Sequence, residues 1–91
     1  MPIYNAPLTD MKFILNDVFN AEQFWQNNEN LAHLDAATAE AILEEMAKFA
    51  QNVTLPLNRT GDEEGAKIEN GAVTTPAGFK AAFQQYAEGG W

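Results

Sequence analysis

Cysteine and serine are both absent from this 91-residue chain. The missing thiol removes disulfides, thiolate metal sites and cysteine nucleophiles together, and it fits a reducing compartment. The missing serine removes that nucleophile, and no activating base is apparent for a threonine. Positive charge is also scarce: five Lys and Arg stand against 13 Asp and Glu, a net charge of −8. Such a chain repels nucleic-acid phosphates and anionic lipid surfaces, so neither is an expected partner. No apolar run approaches the roughly 18 residues of a membrane-spanning helix. The opening Met1-Pro2-Ile3-Tyr4-Asn5 lacks a basic stretch followed by an apolar one. No signal peptide is therefore expected, and a cytoplasmic location is. No internal repeat or low-complexity tract is visible.

What is present is apolar. Hydrophobic residues make up 46% and aromatic residues 11%, which argues against disorder. The length is that of one small domain or a piece of a larger one, burying roughly 60–65% of its unfolded surface.

The pattern predicts a mainly α chain of three main helices, with a small β-hairpin between the second and third. Leu8, Met11, Ile14, Leu15 and Val18 form one stripe and predict a first helix over Leu8 to Phe19. Glu22 to Trp25 can form a helical turn, and Asn27, Asn28 and Asn30 then favour a loop. The second helix is marked by Ile42, Leu43, Met46, Phe49, Ala50 and Val53. Thr38 is its expected N-cap, with Asp35 as a rival one turn earlier. Glu44 and Lys48 form an i,i+4 pair in the favourable order. Pro56 is expected to kink this helix rather than end it, because Leu57 continues the stripe, and Gly61 is the expected stop. Asp62-Glu63-Glu64-Gly65 then reads as a polar link. Asn70-Gly71 is a type I′ turn pair, with Ile68 and Val73 on one face of a hairpin that must lean on the helices. Thr75-Pro76 opens the third helix, Phe79, Ala82, Phe83 and Tyr86 give its stripe, and Gly89-Gly90 ends it.

Candidate chemistry is thin. His33 is the lone histidine, and Leu31, Ala32 and Leu34 beside it supply no convergent partner for a base or a metal. Asp62, Glu63 and Glu64 lack the spacing of a calcium loop and read as a solvated charge run. Glu44 and Glu45 point about 100° apart on a helix and are no carboxylate pair. The glycines make neither a GxGxxG nor a P-loop pattern. Phe13, Phe49, Phe79 and Phe83 sit at core spacing rather than around a flavin or acyl cavity. Asn52-Val53-Thr54 and Asn58-Arg59-Thr60 match the glycosylation sequon by chance. No catalytic, cofactor-binding or metal residue is assigned to any position of this chain.

Several stretches, in order, carry a resemblance. Tyr4-Asn5-Ala6-Pro7-Leu8-Thr9-Asp10-Met11-Lys12-Phe13 resembles the "Y-x-A-P-L-x-D-h-x-F" opening of a large bacterial branch of the acyl-CoA dehydrogenases. Ala41 to Ala50 looks like that branch's first long core helix. Pro56-Leu57-Asn58-Arg59-Thr60-Gly61-Asp62-Glu63-Glu64-Gly65 resembles "P-L-N-x-x-G-D-x-E-G". Val73 to Lys80 and Glu88-Gly89-Gly90-Trp91 resemble "V-x-T-P-x-G-F-K" and "E-G-G-W". The resemblance covers nearly the whole chain. Met46, Thr54, Ala66 and Ala72 depart from it mildly, which weakens any choice of substrate.

The resemblance implies a flavoprotein of bacterial fatty acid metabolism, an oxidoreductase that turns acyl-CoA into 2-enoyl-CoA. A carboxylate takes the α-proton and the β-hydrogen leaves as hydride to FAD. In that family the carboxylate and most flavin and CoA contacts belong to middle and C-terminal domains. The chain is then expected to be an N-terminal structural segment, truncated and inactive alone. Residues 1–37 would be an extension with the first helix, and 38–91 the start of the helical domain. Trp91 at the terminus agrees with more chain having followed. Apolar helix faces around Phe79, Phe83 and Trp91 are expected to drive self-association, or to meet the remainder of the dehydrogenase. The rival readings are a free-standing acidic helical interaction module and a small independent enzyme.

Overall fold

The computed structural model describes residues 3–91, so the reading of Met1-Pro2 in the opening lies outside the described residues. Two compact units result: Asn5–Lys48, and Phe49–Trp91 together with Ile3 and Tyr4.

In the first unit, helix α1 spans Leu8–Phe13 and runs into a π turn, Ile14–Val18. The Phe19 N–H donates to the Ile14 carbonyl at 3.0 Å, five residues back. The expected helix is therefore present, but its last turn is wider than an α turn. Asn20 follows in the left-handed region (φ 48°), a conformation asparagine tolerates, and separates this run from α2, Ala21–Gln26.

Helix α3, Ala36–Phe49, begins two residues before Thr38. The cap is Asp35, whose carboxylate accepts the Thr38 N–H at 2.7 Å. Glu22 accepts the Ala36 N–H at 3.2 Å, so a second orphan donor is satisfied from α2. That second acceptor favours the earlier start. Lys12 pairs with Glu44 at 3.1 Å, and the Asn16 amide donates to Glu40 at 3.1 Å. With Glu44 engaged by Lys12, Lys48 turns to Glu45 at 2.9 Å, an i,i+3 pair in place of the expected i,i+4 one.

In the second unit the helical run continues from Phe49 through a π turn, Ala50–Thr54, into α4, Leu55–Glu64. Pro56 explains the turn. It has no N–H to give, so the ladder ahead of it loosens: Leu55 N–H reaches back five residues to the Ala50 carbonyl. The Thr54 hydroxyl donates to the same carbonyl at 2.9 Å. Gly61 is not the stop. It is buried inside α4, which ends at Gly65, whose N–H returns to the Gly61 carbonyl at 2.8 Å. Asp62, Glu63 and Glu64 thus belong to a helix and not to a link.

Strands β1, Lys67–Glu69, and β2, Ala72–Thr74, pair antiparallel with Ile68 opposite Val73. Asn70 and Gly71 both have positive φ (53° and 80°), as a type I′ turn demands. All six strand residues are exposed, Ile68 by 74%. The expectation that the hairpin leans on the helices is therefore not met. Helix α5 spans Phe79–Glu88 and starts three residues after Pro76, which is buried in the preceding turn. The turn is held by Phe79 N–H on the Pro76 carbonyl at 3.2 Å and by Ala77 N–H on the Glu64 carboxylate at 3.3 Å. Gly89 and Gly90 end α5 as expected.

The chain is mainly helical with one hairpin, the architecture its periodicity predicts. Its core differs from expectation. Among the described residues, Ala47, Gly61 and Pro76 are buried. Phe13 and Phe83, expected in a core, are 56% and 69% exposed. Aromatic spacing places residues on one helix face, but that face is covered only where another element reaches it.

Candidate functional site

The groups singled out for chemistry do not converge. His33 is exposed in the turn after α2. Glu44 and Glu45 serve different lysines, as described above. Glu63 pairs with Arg59 at 2.9 Å and Glu64 holds the Ala77 N–H. No cluster of three His, Asp or Glu suited to a metal ion occurs among the described residues. Both sequons lie within helical segments, with Asn52 in the π turn and Asn58 in α4.

Two titrating groups are displaced. The Asp35 carboxyl is held below the ordinary aspartate range by the Thr38 backbone N–H, helped by the Thr38 hydroxyl. The Lys48 ammonium is raised, first by its hydrogen bond to Glu45 and then by that carboxylate's charge. Both are exposed groups at helix positions, so these shifts reflect capping and pairing rather than catalysis.

A concave feature of the second unit is an open groove of about 930 Å³. Its walls come from α4 (Leu55, Leu57, Asn58, Gly61, Asp62), from the start of α5 (Phe79, Ala82) and from Ile3 and Tyr4. Its lining is mostly apolar. The glycines let its two helices meet closely. A Cβ on Gly61 would stand 2.5 Å from the Phe79 ring, and one on Gly78 would stand 2.7 Å from Leu57. Gly78 also has a φ of 90°, so only glycine fits there without strain. Among its described lining residues the groove offers one carboxylate, Asp62, and the hydroxyls of Thr54 and Tyr4. Its apolar walls suit the burial of an apolar side chain or segment.

Sequence reasoning missed this groove because it placed the end of the helix at Gly61. The available signal was the spacing of Thr54, Leu57, Asn58, Gly61 and Asp62, which recur every three or four residues and line one face through the glycine.

No protein-family model matches this chain. The 3-methylmercaptopropionyl-CoA dehydrogenase of Ruegeria pomeroyi (strain ATCC 700808 / DSM 15171 / DSS-3) is 34% identical to it over 88 residues. That match takes in 97% of this chain and 15% of the relative's length. Among the described residues no helix is long and apolar enough to cross a membrane.

Proposed function

This chain is a relative of the acyl-CoA dehydrogenases, matched along 97% of its own length, and from that kinship we propose that it is an N-terminal structural segment of an FAD-dependent member. The observation that carries this reading is the same match, taken with its small share of the relative, 15%. In this reading residues 1–37 form an extension and residues 38–91 open the helical domain. The complete enzyme acts in the cytoplasm on a CoA thioester, giving the 2-enoyl-CoA and reduced flavin. FAD accepts hydride when bound to that enzyme. This chain holds none of the chemistry: it supplies helix faces that pack against the catalytic domains.

The physical support is the mismatch between apolar content and burial. A chain that is 46% hydrophobic has one buried hydrophobic side chain among its described residues, Ala47. Its groove collects mostly apolar walls. The test is direct. The purified chain is mixed with FAD, a CoA thioester and an artificial electron acceptor. The expected result is no retained flavin spectrum and no reduction of the acceptor. Turnover by the chain alone overturns the proposal.

A further inference from the structure

Nine asparagines occur in the chain, and only Asn70 is followed by a glycine, Gly71. That pairing bears on covalent chemistry as well as on turn geometry. The backbone nitrogen after an asparagine can attack the side-chain amide carbon and close a five-membered ring. A side chain on the following residue crowds that nitrogen, whereas glycine leaves it open to close approach. Asn70 and Gly71 are both exposed, at the tip of a hairpin whose six strand residues are exposed too.

The folded turn holds the reacting groups apart. Ring closure needs the Gly71 nitrogen on the same side of the Asn70 Cα–C bond as Cβ. Asn70 lies in the left-handed region, with φ 53°. There ψ is about +47°, and Cβ stands roughly 120° from N around a tetrahedral Cα, which puts the next nitrogen almost opposite Cβ. The type I′ turn therefore blocks the ring, and opening of the hairpin releases it. Opening is easy here, because each strand has three residues and none of them is covered. A two-stranded hairpin without support is marginal in water.

We propose that Asn70 is a self-modification site, converted through a succinimide whenever the hairpin of residues 67–74 opens. The Gly71 nitrogen gives up its proton and bonds to Asn70 Cγ; the Cγ–Nδ2 bond breaks and ammonia leaves. Water then adds to one of the two ring carbonyls, and that carbonyl's bond to the Gly71 nitrogen breaks. Opening at the side-chain carbonyl gives aspartate. Opening at the backbone carbonyl gives isoaspartate, whose main chain runs through Cβ. One water is consumed, one ammonium ion is released and a carboxylate remains, with no change of oxidation state. The chain becomes one unit more negative than its −8. The extra main-chain carbon of isoaspartate destroys the two-residue turn, so the strands cannot pair again in register. None of this rests on the kinship with dehydrogenases.

The full chain is incubated in mildly alkaline buffer, with and without concentrated guanidinium chloride, and followed by peptide mass spectrometry. The expected result is the mass gain of amide to acid at Asn70 ahead of every other asparagine, as two products of equal mass, aspartate and isoaspartate. The native chain converts measurably but more slowly than the denatured one. Val73→Gly loosens the ladder without touching the reacting pair, and it raises the native rate by up to about fivefold, toward the denatured rate. Its helix content by circular dichroism stays unchanged; should it fall, Val73→Ala carries the same expectation with a smaller step. Gly71→Ala opens the turn yet slows conversion in both conditions, because its methyl group crowds the attacking nitrogen. Equal rates in native and denatured chain, or a native rate indifferent to both Val73 substitutions, overturn the gating by the hairpin and with it the proposal. So does a native chain that stays intact while the denatured one is consumed, a different asparagine reacting first, a single product, or Gly71→Ala converting as fast as the parent chain.

Discussion

The Phe79 ring occupies the space that a side chain on Gly61 would need, with its edge 2.5 Å from the site of a Cβ there. This contact joins α4 to the start of α5 and forms one wall of the groove. In an ordinary helix interior, Gly→Ala stabilises by about 0.5–1 kcal/mol. Here overpacking opposes it and costs about 1–3 kcal/mol. Gly61→Ala is therefore expected to destabilise the chain by about 1 kcal/mol in urea melts. In a Phe79→Ala background the clash is gone and the same change becomes stabilising by about 0.5–1 kcal/mol. A gain in stability in the wild-type background would refute the close approach.

Asp35 makes the N-cap titratable. Its carboxyl is depressed, chiefly by the Thr38 N–H, so the unfolded chain binds the proton more readily than the folded one. The cap's contribution is complete above the ordinary aspartate pKa of about 3.9. It fades as pH falls through the lower folded value. Asp35→Ala is expected to lower the thermal midpoint at neutral pH and to flatten this acidic limb. Asp35→Asn keeps a good cap acceptor and is expected to retain most of the neutral stability while losing the pH dependence. Equal acidic limbs in wild type and Asp35→Asn would contradict the assignment.

Pro56 is tolerated because a π turn precedes it. Replacing it restores a backbone donor inside the helical run. Pro56→Ala is expected to raise helical ellipticity and to stabilise by up to about 1 kcal/mol. The gain falls below the roughly 3 kcal/mol helix penalty of an interior proline because the π turn has already relieved part of the clash. A loss of helix on this substitution would show that the proline, and not the ladder around it, sets the path of the chain.

The hairpin is a surface feature. Ile68 is opposite Val73, and both are exposed. Ile68→Thr keeps a β-branched residue and is expected to change stability by no more than about 0.5 kcal/mol. Replacing Gly71 (φ 80°) with Ala strains the turn and is expected to unzip the two strands. Amide exchange at Lys67 and Thr74 reads this directly. A large loss of stability from Ile68→Thr would mean that the side chain is covered.

Local patterns were the legible part of this fold. The stripe from Leu8 to Val18, the long run from Ile42 to Val53, the Asn70-Gly71 turn and the Gly89-Gly90 end could each be read from neighbours within a few residues. The departures were settled by contacts between distant residues. Asp35 displaced Thr38 as cap because Glu22, fourteen residues upstream of Ala36, accepts a second N–H. Lys48 chose Glu45 because Lys12 holds Glu44. Gly61 passed through the helix because Phe79 fills the space beside it. The groove was hidden for the same reason, since its walls are separated in sequence. The ordered motifs, by contrast, pointed to the dehydrogenase relationship without any of these contacts.

The most direct measurement of the structural role is complementation. A dehydrogenase of this family, its residues corresponding to this chain deleted, is purified with and without the chain supplied in trans. The account predicts that the chain binds it, raises its thermal midpoint and restores flavin retention. A deleted enzyme that is already stable and active, and that ignores the added chain, would contradict it.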